Sequence, residues 1–252
     1  MSEANPRDGL LVPDRAERDV ERRFYELTRK YSFRLFLRNA INLKGEFGVD
    51  DLLQYSTRDC VEGYIHALLD IGIVARNGES RFVLVVPPLR GFGPTLEWFV
   101  AQVFEREFDC PALWSVKLAD TKAGGDCDVI AEVENRFVYV EVKSSPPKHV
   151  TVNEVSTFLD RVEELRPNMA VFLEDTELRM KDKIVALFEE ALGNRFDGDV
   201  PRRLMLRRLV RELFKIGESV YIVNSKPDLV LNLTLCLKDW LGGNGLAEGR
   251  GR

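Results

Sequence analysis

Asp128, Glu141 and Lys143 are the residues whose types and spacing can do chemistry together, and all three lie in the string "GGDCDVIAEVENRFVYVEVKSS". The second half of that string has the period of a strand, so Glu141 and Lys143 project from one face and Val142 from the other. A carboxylate and an ammonium are thereby held close together on a rigid element. The run that begins at Asp128 joins this strand through a turn at Glu134 to Arg136. Pairing of the two as a hairpin brings Asp128 towards Glu141. Two converging carboxylates make a hard-oxygen site suited to Mg²⁺, completed by a backbone carbonyl and water. Alternation puts Asp126 on the same side as Asp128, so either could be the ligand. Asp128 is favoured because it directly precedes the apolar run "VIA", whereas Asp126 follows two glycines. Taken singly, each residue has a plainer explanation, as a solvated stripe on a strand or the cap of a turn. Their convergence carries the reading.

The same three residues, with their Gly-rich entry and two adjacent β runs, resemble the PD-(D/E)xK nucleases of restriction-endonuclease-like fold, and within them the Mrr-like and Holliday-junction-resolvase-like branches. The resemblance implies that Asp128 and Glu141 bind a metal, Mg²⁺ with Mn²⁺ as substitute. It implies that Lys143 orients or activates the attacking water, and that DNA is the partner. Members often carry a further acid on the helix before the first strand, and Glu97 in "GPTLEWFVAQVF" stands there. A second metal shared through Glu97 or Asp126 is compatible with this spacing. The likeness spans about residues 90–225, with its diagnostic content in fewer than thirty of them. Two departures leave the branch open: Cys127 stands where a proline often precedes the first acid, and no downstream Gln or Tyr motif of the RecB-like branch is evident. The implied activity is metal-dependent hydrolysis of DNA phosphodiester bonds, in repair, recombination or restriction. The rival is an inert nucleic-acid-binding or regulatory protein built on the same scaffold. The intact acid, acid and lysine favour the enzyme.

The elements that must position these residues follow from periodicity. Asp14 and Glu17 are spaced as a capping box for a helix through about Lys30, with frayed residues before it. Next come an amphipathic helix "YSFRLFLRNAINL", a short "GEFGV", a helix "VDDLLQYS", and a helix "STRDCVEGYIHALLDIGI" with Ser56 or Thr57 as N-cap. A hairpin follows, with Asn77-Gly78 in its turn. This order resembles a winged helix over residues 31–88. In DNA-binding members such a module would present Thr57, Arg58, Asn77 and Arg81 to DNA. Asp59 and Glu62 on the same helix repel phosphate, so packing or homodimerisation competes with DNA reading.

"PPLRGFGP" marks a boundary at residues 87–94. Beyond it a helix "TLEWFVAQVFEREF" precedes strands "PALWSVKLA", "CDVIAEVE" and "RFVYVEVKS". Then follow a helix "VNEVSTFLDRVEEL", a strand "MAVFLED", a helix "LRMKDKIVALFEEAL", a basic helix over 201–215, a strand "SVYIVN" and a final apolar helix. The expected fold class is α/β, a mixed central sheet flanked by helices, preceded by a small α+β winged-helix domain. The expected units are a tail and helix over 1–30, the winged helix over 31–88, the nuclease domain over 89–241 and a disordered tail over 242–252.

The chain has 252 residues, 45% of them hydrophobic and 31% charged, enough for a sizeable core. A net charge of -5 argues against a protein that coats nucleic acid nonspecifically. The four cysteines, Cys60, Cys110, Cys127 and Cys236, lack zinc-site spacing and read as reduced thiols. His66 and His149 are too isolated to be metal ligands, although His149 with Lys148 could contact a phosphate. No apolar run spans a bilayer and the N-terminus lacks the core of a secretion signal, so a cytoplasmic protein without a membrane partner is expected.

Overall fold

A computed structural model describes residues 4–7, 9–12, 17–85, 89, 91–118 and 125–245. Helices α1 (Arg18–Thr28) and α2 (Tyr31–Asn42) are followed by β1 (Glu46–Phe47), a single 3₁₀ turn at Asp50–Leu52 and α3 (Arg58–Asp70). Strands β2 (Val74–Arg76) and β3 (Phe82–Leu84) pair antiparallel, and β1 adds to β3, giving a three-stranded sheet in the order β1-β3-β2. Gly78, at φ +82°, supplies the left-handed residue of the loop between β2 and β3, which Asn77 N–H closes onto the Arg81 carbonyl at 2.8 Å. The helix expected over "VDDLLQYS" shrinks to the one turn, which Leu52 anchors in the core while Tyr55 lies 58% exposed.

Then come α4 (Gly93–Glu107), β4 (Ala112–Val116), β5 (Cys127–Val133), β6 (Arg136–Lys143), α5 (Val152–Leu165), β7 (Met169–Glu174), α6 (Ile184–Arg195), β8 (Leu206–Val210), β9 (Leu213–Ile216), β10 (Val220–Val223) and α7 (Leu229–Gly245). The seven strands of the second sheet run β4-β5-β6-β7-β10-β9-β8, parallel across β6, β7 and β10 and antiparallel on both flanks. All six residues of β7 are buried, as a parallel strand covered on both faces requires. One face packs Val129, Val140 and Val171 against α4, α7 and the N-terminal helices in a continuous core. The other packs Tyr139, Ala170 and Phe172 against Phe158 of α5 and Phe188 of α6.

Several expectations change. Asp14 lies outside the described residues, and α1 begins at Arg18 with no side-chain cap. The segment before it is not frayed where described: Leu10, Leu11 and Val12 are buried, and Leu11 N–H donates to Thr95 Oγ1 at 3.2 Å. Three consecutive apolar side chains gain more by covering α4 than by remaining in water. The helix expected from Leu178 starts only at Ile184, because a 3₁₀ turn at Met180–Asp182 is pinned by Glu212, which accepts the Met180 N–H at 2.8 Å. The basic helix expected over 201–215 is instead the antiparallel pair β8 and β9, turned at Arg211 with φ +51°. The free edge of β10 offers unpaired N–H and C=O groups, and β9 satisfies them in the register Val220↔Ile216 and Ile222↔Phe214. Of the tail expected from residue 242, positions 242–245 close α7, and 246–252 lie outside the described residues, as do 87, 88 and 90 of the expected boundary.

Candidate functional site

The site is built on the β5/β6 hairpin. Glu134 and Asn135 both adopt left-handed backbone, φ 53° and 55°, the geometry of a two-residue turn whose twist matches its strands. That turn sets the register Val129↔Val140. Asp128 and Glu141 are the next facing positions, on the sheet face that carries Tyr139. The Asp128 carboxylate accepts the Val142 N–H at 2.7 Å, which clamps it across the hairpin. Lys143 closes β6 on the same face, and its ammonium donates to Glu141 Oε1 at 2.9 Å. Glu97, in the first turns of α4, accepts a hydrogen bond from the Ser115 hydroxyl. Asp126 is exposed beyond the strand end.

Helix α5 closes the site from above. Thr151 and Glu154 form a reciprocal capping box: the Thr151 N–H donates to Glu154 Oε2 at 2.9 Å, and the Glu154 N–H to Thr151 Oγ1 at 3.3 Å. The other Glu154 oxygen stands 3.5 Å from the Lys143 ammonium. Two turns along the same face, Arg161 donates to Glu141 Oε2 at 2.9 Å and to the Tyr139 hydroxyl at 3.2 Å, while Tyr139 donates to that same Glu141 oxygen. Gly125 adopts φ +72°, a left-handed conformation that favours glycine, and a Cβ there would meet Arg161 Nη2 at 2.5 Å, so the guanidinium would have to move.

The electrostatics follow from crowding carboxylates in a dry place. Burial, then Glu141 and Glu97, push the Asp128 carboxyl well above the ordinary aspartate range. Burial raises Glu97 too, with Glu141 and Asp126 adding to it against the Ser115 hydrogen bond. Burial works against the Lys143 ammonium, but Glu141, Asp128 and Glu154 outweigh it and hold the charge above its usual range. Cys127, buried behind the acids, is pushed up to about 11 and is a packed thiol, not a nucleophile.

The donor chemistry fits a hard divalent cation, because such an ion would relieve the mutual repulsion of Glu97, Asp128 and Glu141. The set is not yet gathered into a cage. Among the described residues no group of three His, Cys, Asp or Glu side chains stands ready to hold a metal ion. Both Glu141 oxygens are taken by the lysine, the arginine and the phenol, so a cation would have to displace one of them.

The other candidate residues lie elsewhere. Arg58 pairs with Asp50 and stands 3.7 Å from Glu62; Asn77 donates to Glu46 at 2.8 Å, and Arg81 to Asp51 at 2.6 Å. Thr57 precedes α3, exposed. Lys148 and His149 are exposed on a 3₁₀ turn between β6 and α5. Sequence reasoning missed Arg161, Tyr139, Glu154 and Glu174. The legible signals were the capping spacing of Thr151 and Glu154, the seven-residue step to Arg161, and the acidic pair Glu174-Asp175 closing an apolar strand.

No protein-family model matches the chain, and no curated protein matches it. Among solved structures the chain is similar to Can2 from Sulfobacillus thermosulfidooxidans, in complex with cyclic tetra-adenylate, at 15% identity and a TM-score of 0.50 over 95% of this chain and 57% of that one. It is more loosely similar to protein VC1899 from Vibrio cholerae, at 16% identity and a TM-score of 0.46 over 72% of this chain and 50% of that one. The chain thus spans about half the length of the structures it matches. The likeness to Can2 is one of fold, an α/β architecture with a mixed sheet flanked by helices. No described helix is long and apolar enough to cross a membrane.

Proposed function

We propose that this chain is a Mg²⁺-dependent endonuclease of PD-(D/E)xK type that hydrolyses DNA phosphodiester bonds. What supports the reading is one observation: Asp128 and Glu141 face each other across a hairpin, with Glu97 brought in from α4 and Lys143 at the end of the same strand. Asp128 and Glu141 would hold the cation, with Glu97 or Asp126 as further donors. A divalent cation there would acidify water and neutralise charge on phosphate. Lys143 orients the attacking water and offsets the charge that develops on the phosphate. Arg161, beside Glu141, would add the donor geometry that phosphate oxygens take. The winged-helix-like module over residues 31–88 serves in this reading for packing or dimerisation as much as for DNA, because Arg58, Asn77 and Arg81 are already tied to acids.

The test is calorimetric titration of Mg²⁺ and Mn²⁺ into the full chain, Asp128→Ala and Glu141→Ala. It is paired with cleavage of linear, nicked, branched and single-stranded DNA, and of RNA. Loss of metal uptake in both folded variants, together with metal-dependent DNA cleavage by the parent, is the expected result. A second reading, an inert nucleic-acid-binding scaffold, draws on the closure of both Glu141 oxygens by cations. A parent that takes up no metal and cuts nothing would establish that reading in place of the first.

A further inference from the structure

We infer that Glu174 is a positioning residue for Lys143, the second seat that the ammonium takes when a cation claims Glu141. This rests on the proposed metal-dependent reading.

In the parallel pair of β6 and β7, Lys143 and Glu174 are direct cross-strand partners. They share a face, the one on which Tyr139 and Phe172 enter the core beneath α5. Neighbouring strands lie about 4.8 Å apart, well within the sweep of a four-carbon lysine stem. Glu174 is 0% exposed, and neither carboxyl oxygen has a hydrogen-bond partner. A buried carboxyl without a partner is costly, and one kept beside the lysine of the site calls for a use.

Two cations, Arg38 and Lys143, attract Glu174. Asp175 repels it. The Arg38 Nη2 donates to Asp175 Oδ2 at 2.9 Å, which anchors the guanidinium, while its Nε is buried without a partner; Lys143 is the cation that a metal at Glu141 would displace. Glu154 has one oxygen in the α5 cap and the other 3.5 Å from Lys143. Lys143 itself rests on Glu141 Oε1. When a cation takes that oxygen, a largely buried ammonium keeps only the longer contact with Glu154 unless it gains another acceptor. Glu154 is held in the α5 cap and is 39% exposed, whereas Glu174 is buried, adjacent and open. Burial together with Asp175 pushes the Glu174 carboxyl up to about 9, as expected for an acid still waiting for its counter-charge. Moving Lys143 onto Glu174 keeps its charge beside the metal-binding acids without competing for them.

The experiment is a double-mutant cycle on Mg²⁺ affinity, read by calorimetry on the full chain: parent, Glu174→Gln, Lys143→Ala and the double variant, with Glu174→Met as a second replacement should the glutamine fold poorly. Glu174→Gln should weaken Mg²⁺ binding by about tenfold in the parent and by less than about twofold in the Lys143→Ala background, the size of coupling typical of contacting residues. Equal losses in both backgrounds would reduce Glu174 to a distant charge, and no loss in either would remove its role; both overturn the inference. If Asp128→Ala loses metal while the cycle shows no coupling, the inference fails and the metal-dependent reading stands. A parent that takes up no Mg²⁺ overturns both.

Discussion

Replacing Glu174 by glutamine should flatten the pH dependence of stability in the metal-free protein. The carboxyl ionises near 4.5 in an unfolded chain and near 9 when folded. A folded-state value raised above the unfolded one means that the native protein binds the proton more tightly. The contribution to stability is therefore fully present below pH 4.5, declines as pH rises, and is lost once pH passes about 9. Each pH unit across that window is worth about 1.4 kcal/mol, so this group alone removes on the order of 4 kcal/mol between pH 5 and pH 8. Total stabilities are typically about 5 to 15 kcal/mol, so the effect is large. Glutamine carries the same shape and no proton to lose. Urea unfolding in chelator at pH 5 and pH 8 should show the parent losing stability over that interval by several kcal/mol more than Glu174→Gln. Asp128 and Glu97, raised in the same direction, titrate in both proteins and cancel in the difference. A difference below about 1 kcal/mol would mean that Glu174 has a partner in solution and is not a waiting acid.

Three further outcomes follow from the same geometry. Lys143→Ala should bind Mg²⁺ as well as the parent or slightly better, while single-turnover DNA cleavage falls by about 10²- to 10⁴-fold; parental cleavage would refute the role given to the lysine. Arg161→Ala should bind Mg²⁺ more tightly, because a cation then meets one competitor fewer at Glu141, with weaker cleavage; unchanged affinity by calorimetry would show that the arginine is no competitor. Asp175→Ala strands Arg34, which is 1% exposed, in the core without the carboxylate it bonds at 2.8 and 2.9 Å. Burial works to raise that carboxyl, yet Arg34, Arg38 and Ser225 hold it below its usual range. The loss should be about 3 to 5 kcal/mol by urea unfolding, and a cost under about 1 kcal/mol would show the network to be dispensable.

The local, period-two pattern of "CDVIAEV" and "RFVYVEVK" was enough to pair Asp128 with Glu141, because a tight turn leaves the hairpin one register and alternation leaves each side chain one face. The helices α2, α3, α4 and α5 were legible for the same reason, each declaring itself within its own segment. What lay beyond local reading was decided by partners far away in the chain. "LRRLVRELFK" carries apolar residues at helical spacing, yet it forms β8 and β9, since the open edge of β10 satisfies its backbone and Asp239 of α7 accepts from Lys215 at 2.7 Å. Arg161 meets Glu141 only because α5 crosses back over the hairpin, and Asp175 meets Arg34 only because α2 packs against the ends of the parallel strands. Glu174 reads in sequence as the last residue of an apolar strand. Only the parallel register of β6 with β7 sets it beside Lys143, since a parallel pairing is made between segments that no turn connects.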